Sequence, residues 1–150
     1  MNVRIVSVLA MASGLLLSAC GGAPTASASN ASPEPRAVED QATLVAALQA
    51  AGATIETGDP ISQPFFSVEG NIIKVNGADV QVFEYESSEA MELESSQIAP
   101  DGSSNATTMI TWIDTPHFYK AGRIIVLYVG NDATVLDLLE KILGSQFAGR

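Results

Sequence analysis

The stretch Asn71-Ile72-Ile73-Lys74-Val75-Asn76-Gly77-Ala78-Asp79-Val80-Gln81-Val82-Phe83-Glu84-Tyr85 decides the fold. Asn-Gly is the pair favoured by a type I′ turn, because both central residues of that turn need positive φ. Here it lies between two runs rich in β-branched and aromatic residues, which predicts a β-hairpin. A two-residue turn sets the register: Val75 faces Ala78, Lys74 faces Asp79 and Ile73 faces Val80. One face then carries Ile73, Val75, Ala78, Val80 and Val82. The other carries Ile72, Lys74, Asp79, Gln81, Phe83 and Tyr85. A slip of one residue would scramble both faces and separate Lys74 from Asp79, so the register is strongly specified.

Working outward towards the N-terminus, Asp40 is a candidate N-cap for a helix over residues 41–51. Leu44 and Leu48 lie one turn apart in it, and Gly52 is the stop. Residues 53–57 read as a short strand around Ile55, Gly58-Asp59-Pro60 as a turn and residues 61–64 as loop. Towards the C-terminus, Ser87 or Ser88 caps a helix running to Ile98, and Pro100-Asp101-Gly102 turns into the polar loop 103–106. Residues 107–113, Thr-Thr-Met-Ile-Thr-Trp-Ile, read as a strand. Residues 117–119 and 123–129 form a strand pair turning at Ala121-Gly122. The unbroken apolar run Ile124–Val129 marks a central strand buried on both faces. Asn131 or Asp132 caps a last helix, Ala133–Leu143, with Leu136, Leu139 and Leu143 on one stripe, Asp137 paired to Lys141 outside, and Gly144 at its end. The class is α+β: a mainly antiparallel sheet with about three helices, expected on one side of it.

Residues 64–73 align without gaps on residues 116–125. Five of ten positions match: a proline, a phenylalanine, a glycine and two isoleucines. Two readings stand. The domain is built from two pseudo-symmetric halves, or short strand–turn–strand units have converged on one pattern.

Composition bounds the function. The 150 residues carry 17 acidic and 7 basic side chains, a formal charge of −10, with one cysteine and one histidine. That excludes a disulfide scaffold, a Cys/His zinc site and a basic nucleic-acid binder. The apolar residues are unevenly spread: 14 of the first 20 against 56 of the remaining 130. Arg4 is followed by a 13-residue apolar run, 5–17. This is too short for a helix spanning about 30 Å of hydrocarbon, but it suits the core of a secretory signal. It ends in Leu17-Ser18-Ala19-Cys20.

That tetrapeptide resembles the lipobox of bacterial lipoproteins. The resemblance implies a signal peptide over residues 1–19, cleavage before Cys20, and a diacylglyceryl group, hence palmitate-type acyl chains, on the Cys20 thiol. Each buried methylene contributes ~0.8 kcal/mol, so two chains hold a protein on a membrane where one does not. Gly21 follows the cysteine, where an aspartate would resemble an inner-membrane retention signal. The expected location is therefore the extracytoplasmic face of the cell envelope, on the outer membrane if the cell has one. Residues 21–36 are Gly, Ala, Ser, Thr, Asn and Pro with Glu34 and Arg36. They have no large apolar side chain to bury, so residues 20–38 read as a flexible tether reaching ~20–25 Å. Residues 39–150 form one domain. Its Gln-Pro-Phe-Phe-Ser-Val block at 63–68 and the hairpin above look like small bacterial envelope lipoproteins, a resemblance that brings no activity with it.

Few residues offer chemistry. His117 with Asp114 three residues before it is the one candidate acid–base pair, implying at most an envelope hydrolase. A single histidine and carboxylate make no metal site, and no catalytic or cofactor motif is present. Five carboxylates, Glu84, Glu86, Glu89, Glu92 and Glu94, read as a solvated strand end and an acidic helix start rather than a Ca²⁺ site. Asp101-Gly102-Ser103-Ser104-Asn105 reads as a turn. His117, Tyr119 and Trp112 form a candidate recognition patch for a peptide, glycan or protein if exposed and part of the core if buried, with core the preferred reading for Trp112. The expectation is a non-catalytic binding or assembly domain without cofactor or metal, held on a membrane. It has an envelope protein as its candidate partner and no nucleic acid; a role as inhibitor or assembly factor for that partner falls within this reading.

Overall fold

The hairpin register is realised pair for pair. In the computed structural model, which describes residues 37–150, β2 (Gly70–Val75) pairs antiparallel with β3 (Ala78–Glu84) through Val75–Ala78, Lys74–Asp79 and Ile73–Val80. Asn76 and Gly77 take φ of 52° and 88°, as a type I′ turn requires. Lys74 Nζ lies 2.6 Å from Asp79 Oδ1 across the turn.

The other strands are β1 (Ile55–Ile61), β4 (Pro116–Ala121), β5 (Ile124–Val129) and β6 (Ala148–Gly149), and the helices are α1 (Gln41–Ala50), α2 (Ser88–Ser95) and α3 (Ala133–Leu143). The six strands form one sheet in the order β1-β2-β3-β5-β4-β6, every neighbouring pair antiparallel. This is the α+β fold expected. β5 sits between β3 and β4 and is buried along both faces, as its unbroken apolar run requires. Ile124, Val126 and Tyr128 pack with Ile73, Val75, Val80 and Val82 under Leu44 and Leu48 of α1 and Val135 and Leu139 of α3. On the reverse face, Ile125 and Leu127 join Phe65, Phe66, Phe83, Phe118, Met91 and Ile98. Helices therefore cover both faces, not one. The alternating strands place large apolar side chains on each side, and α1 and α3 can shield only the first, so α2 and irregular chain close the second.

Local chemistry explains the element ends. Asp40 caps α1 by accepting from Thr43 N–H at 2.9 Å, and Thr43 returns the favour by accepting from the Asp40 N–H at 3.0 Å. The Thr43 N–H and hydroxyl both donate to the Asp40 carboxylate and, with Arg123 nearby, hold it below the usual carboxylate range. Ser87 caps α2, which stops at Ser95 rather than reaching Ile98. The Ser96 hydroxyl and Gln97 amide donate to Leu93 O, competing with the helical bonds, and Ile98 N–H closes a tighter turn on Ser95 O. Asp132 caps α3, which spans the residues the sequence implies. Asp137 and Lys141 are not among the ion pairs of the described residues.

Two strand expectations are corrected. Gly58-Asp59-Pro60 does not end β1. The register shifts between Thr57 and Pro60, and pairing resumes with Pro60 on Asn71. β1 is an edge strand, where a bulge and a proline are tolerated because no outer neighbour needs the missing N–H. Residues 107–113 do not enter the sheet. They pair only through an isolated bridge between Ser104 and Met109, while β6 occupies the outer edge of β4 at His117 and Phe118. The two aligned segments also differ: 116–121 is strand β4, whereas 64–69 is irregular chain leading to Gly70 at the start of β2.

The chain enters the domain against the β4–β5 turn. Arg123 N–H donates to Glu39 O at 2.9 Å, and Gly122, at φ 51°, leaves no room for a side chain. A Cβ there would lie 2.4 Å from Glu39 Cα and O. Gly144 also has positive φ, 83°, but open space around it. Gly122→Ala is expected to lower unfolding stability by about 2–4 kcal/mol, and Gly144→Ala by about 1 kcal/mol, in denaturant titrations. Equal losses would show that the Glu39 contact does not constrain this turn.

Candidate functional site

Two depressions on the surface of the described residues hold the candidate side chains. The larger, about 430 Å³, lies at the Pro116 end of β4 and is lined by Asp101, Ser103, Ile110, Trp112, Asp114 and Arg150 among others. The smaller, about 250 Å³, lies between β4, α3 and the chain after α3, and is lined by His117, Tyr119, Leu136, Glu140, Ser145 and Gln146.

His117 is the second residue of β4 and only 7% exposed. Its Nδ1 lies 2.7 Å from Gln146 Oε1, and its ring stacks near Tyr128 at 6.2 Å. An amide oxygen accepts, so Nδ1 is the donor, and Nε2 is buried with no hydrogen-bond partner among the described residues. Asp114 is exposed and accepts from Thr115 N–H at 2.7 Å and Asn131 Nδ2 at 2.5 Å. The two candidate acid–base groups thus hold different partners and line different depressions. Gln146, 29 residues from His117, carries no local signal that would mark it as the partner.

The candidate recognition patch is also divided. Tyr119 shares a face of β4 with His117 and is 3% exposed, under α3. Trp112 lies across the sheet, half-buried against the phenylalanine cluster, with ring centroids 5.7 Å from Phe65 and 5.8 Å from Phe118. Its indole N–H donates to Gly102 O at 2.7 Å. His117 and Tyr119 thus line one depression, and Trp112 lies apart from both.

The acidic run disperses likewise. Glu84 holds Arg123 at 2.6 Å and accepts from Gln41 N–H, Glu92 pairs with Lys120, and Glu94 accepts from Ser67. Glu89 lies in the first turn of α2, its carboxyl held below the usual range by hydrogen bonds at the helix start, including the Ser87 hydroxyl. Asp101 accepts from the Ser103 hydroxyl and N–H within its own turn, which lowers its carboxyl, with a smaller contribution from Arg150. No group of three or more metal-ligating side chains occurs among the described residues. Leu17, Ser18, Ala19 and Cys20, with the rest of the expected signal peptide and most of the expected tether, lie outside the described residues.

From Thr108 to Ile113 the chain alternates, half-buried at Thr108, Ile110 and Trp112 and exposed at Met109, Thr111 and Ile113. Met109 is 85% and Ile113 99% exposed. The β-branched alternation was visible, but nothing local told whether a neighbouring strand would cover it. No protein-family model, curated protein or solved structure matches the chain.

Burial raises the Tyr119 phenol above its ordinary range, helped by the Glu140 charge, and burial does the same to Tyr85, helped by Glu94. Unfolded phenols ionise near pH ~10. The folded values lie above that, so the unfolded state loses protons first, and stability falls as pH rises past the unfolded value. Phenolate absorbance should show Tyr85 and Tyr119 ionising at higher pH in the folded domain than in the unfolded chain, whose phenols ionise near pH ~10. Ordinary midpoints for Tyr85 and Tyr119 in the folded domain would refute the packing described.

Proposed function

We propose that the chain is a lipid-anchored envelope lipoprotein, held through a diacylglyceryl group on Cys20, whose α+β domain works by binding rather than catalysis. The observation that carries the reading is the coincidence of Arg4, the apolar run 5–17 and Leu17-Ser18-Ala19-Cys20, followed by a tract with nothing to bury. The entry of the chain at the Gly122 turn suits such an anchor. It places the larger depression at the opposite end of β4, some ~20 Å of strand away. Binding is favoured over acid–base work because His117 and Asp114 are each engaged elsewhere.

The test is fractionation of cells expressing the whole chain. The wild-type protein is expected in the membrane fraction, with a diacylglyceryl-modified Cys20 as its first residue in mass spectra. Globomycin should accumulate the uncleaved form, and Cys20→Ala should move the protein to the soluble fraction. Membrane retention of Cys20→Ala, or an unmodified Cys20, would refute the anchor.

A further inference from the structure

We propose that residues 109–113 are an open β-edge, and that it takes as an added strand an extended, lysine- or arginine-bearing segment of a partner protein. The inference rests on the binding reading above and names the partner class for it.

The first observation is backbone geometry. Residues 103–110 form a small two-armed turn in which Asn105 N–H donates to Thr108 O and Ile110 N–H to Ser103 O, both at 2.9 Å. Thr108 and Ile110 therefore aim their backbone groups at the first arm. In extended chain these groups alternate in direction, so those of Met109 and Thr111 aim the other way. The backbone N–H and C=O groups of Met109, Thr111, Trp112 and Ile113 have no hydrogen-bond partner among the described residues. Natural sheets shield such edges with charges, prolines and bulges. β1, the edge strand across the sheet, has all three, in Glu56, Pro60 and its register shift. Residues 109–113 have none of these, and instead carry Met109 and Ile113 into solvent.

The second observation is charge, which selects the occupant. Removing Glu34, Arg4 and Arg36 from the whole-chain counts leaves 16 acidic and 5 basic residues in 37–150, a formal −11. Four of the five bases are in ion pairs: Lys74, Lys120, Arg123 and Arg150. The depression beside the open edge is lined by the carboxylates of Asp101 and Asp114, with Arg150 3.7 Å from Asp101. Such a field attracts a cationic segment and repels a second copy of the same chain. Main-chain bonds to the edge supply affinity, and alternate apolar side chains on Met109 and Ile113 supply register.

Trp112, the only tryptophan, is the built-in reporter. The full chain in detergent is titrated with an alternating lysine–valine heptapeptide and Trp112 emission is followed. A saturable shift is expected. It should weaken by about tenfold or more with Thr111→Pro, which removes an N–H that bonds nothing in the domain, and with Ile113→Lys, which removes an apolar contact and adds a like charge. The same loss is expected for a peptide N-methylated at every second residue in one of the two phases. Equal binding of a glutamate–valine peptide, or indifference to N-methylation in both phases, overturns the proposal. So does sedimentation showing a dimer that Thr111→Pro dissolves, because the occupant is then a second copy. Cys20→Ala leaves the peptide titration unchanged, so failure of the anchor and failure of the edge are separate results.

Discussion

The domain depends on β5 being apolar on both sides. Ile124, Val126 and Tyr128 face one core, and Ile125 and Leu127 the other, so each face of the sheet must be covered before the strand is out of water. Each such side chain contributes about 1.5–3 kcal/mol on burial, and none of it is realised on a face left open. Two helices close the first face. The second has only the eight-residue α2, and the remaining cover comes from irregular chain that delivers aromatic rings: Phe65, Phe66 and Trp112 against Phe83 and Phe118. Asn105 Nδ2 ties two of these covering segments together by donating to Phe65 O at 3.0 Å.

Covering a sheet with irregular chain has a consequence for function. A helix satisfies its own backbone, and an extended covering segment does not. Residues 103–110 solve half of this by folding back on themselves, while the outer side of 109–113 stays open. The same arrangement puts the larger depression next to unpaired backbone, at the end of the sheet remote from where the chain enters.

Charge is arranged around seams. Arg123 joins the start of β5 to Glu84 at the end of β3 and approaches Asp40 at the start of α1, while Lys120 joins β4 to α2 and lies over the Phe147 ring. Exposed pairs contribute only ~0–1 kcal/mol each, so these bases orient elements more than they hold them. They also consume most of the positive charge, which leaves the surface strongly acidic.

The sequence by itself determined the hairpin register, the span of α3, the double burial of β5 and the α+β class. Each follows from a turn residue pair, a 3.6-residue stripe or an unbroken apolar run, all signals contained within a few residues. The proposed lipobox reading of Leu17-Ser18-Ala19-Cys20 rests on a signal that is local in the same sense. Only the tertiary structure decided which face each helix covers, that β1 continues through Pro60, and that residues 107–113 stay out of the sheet with Trp112 against Phe118 while β6 takes the edge of β4. It also decided that His117 meets Gln146 instead of Asp114, and that Tyr119 and Trp112 lie on opposite faces. These outcomes are competitions between segments far apart in the chain for the same edge or the same face. Propensity marks a segment as a strand, but whether it finds a neighbour is settled by what else is already bonded there.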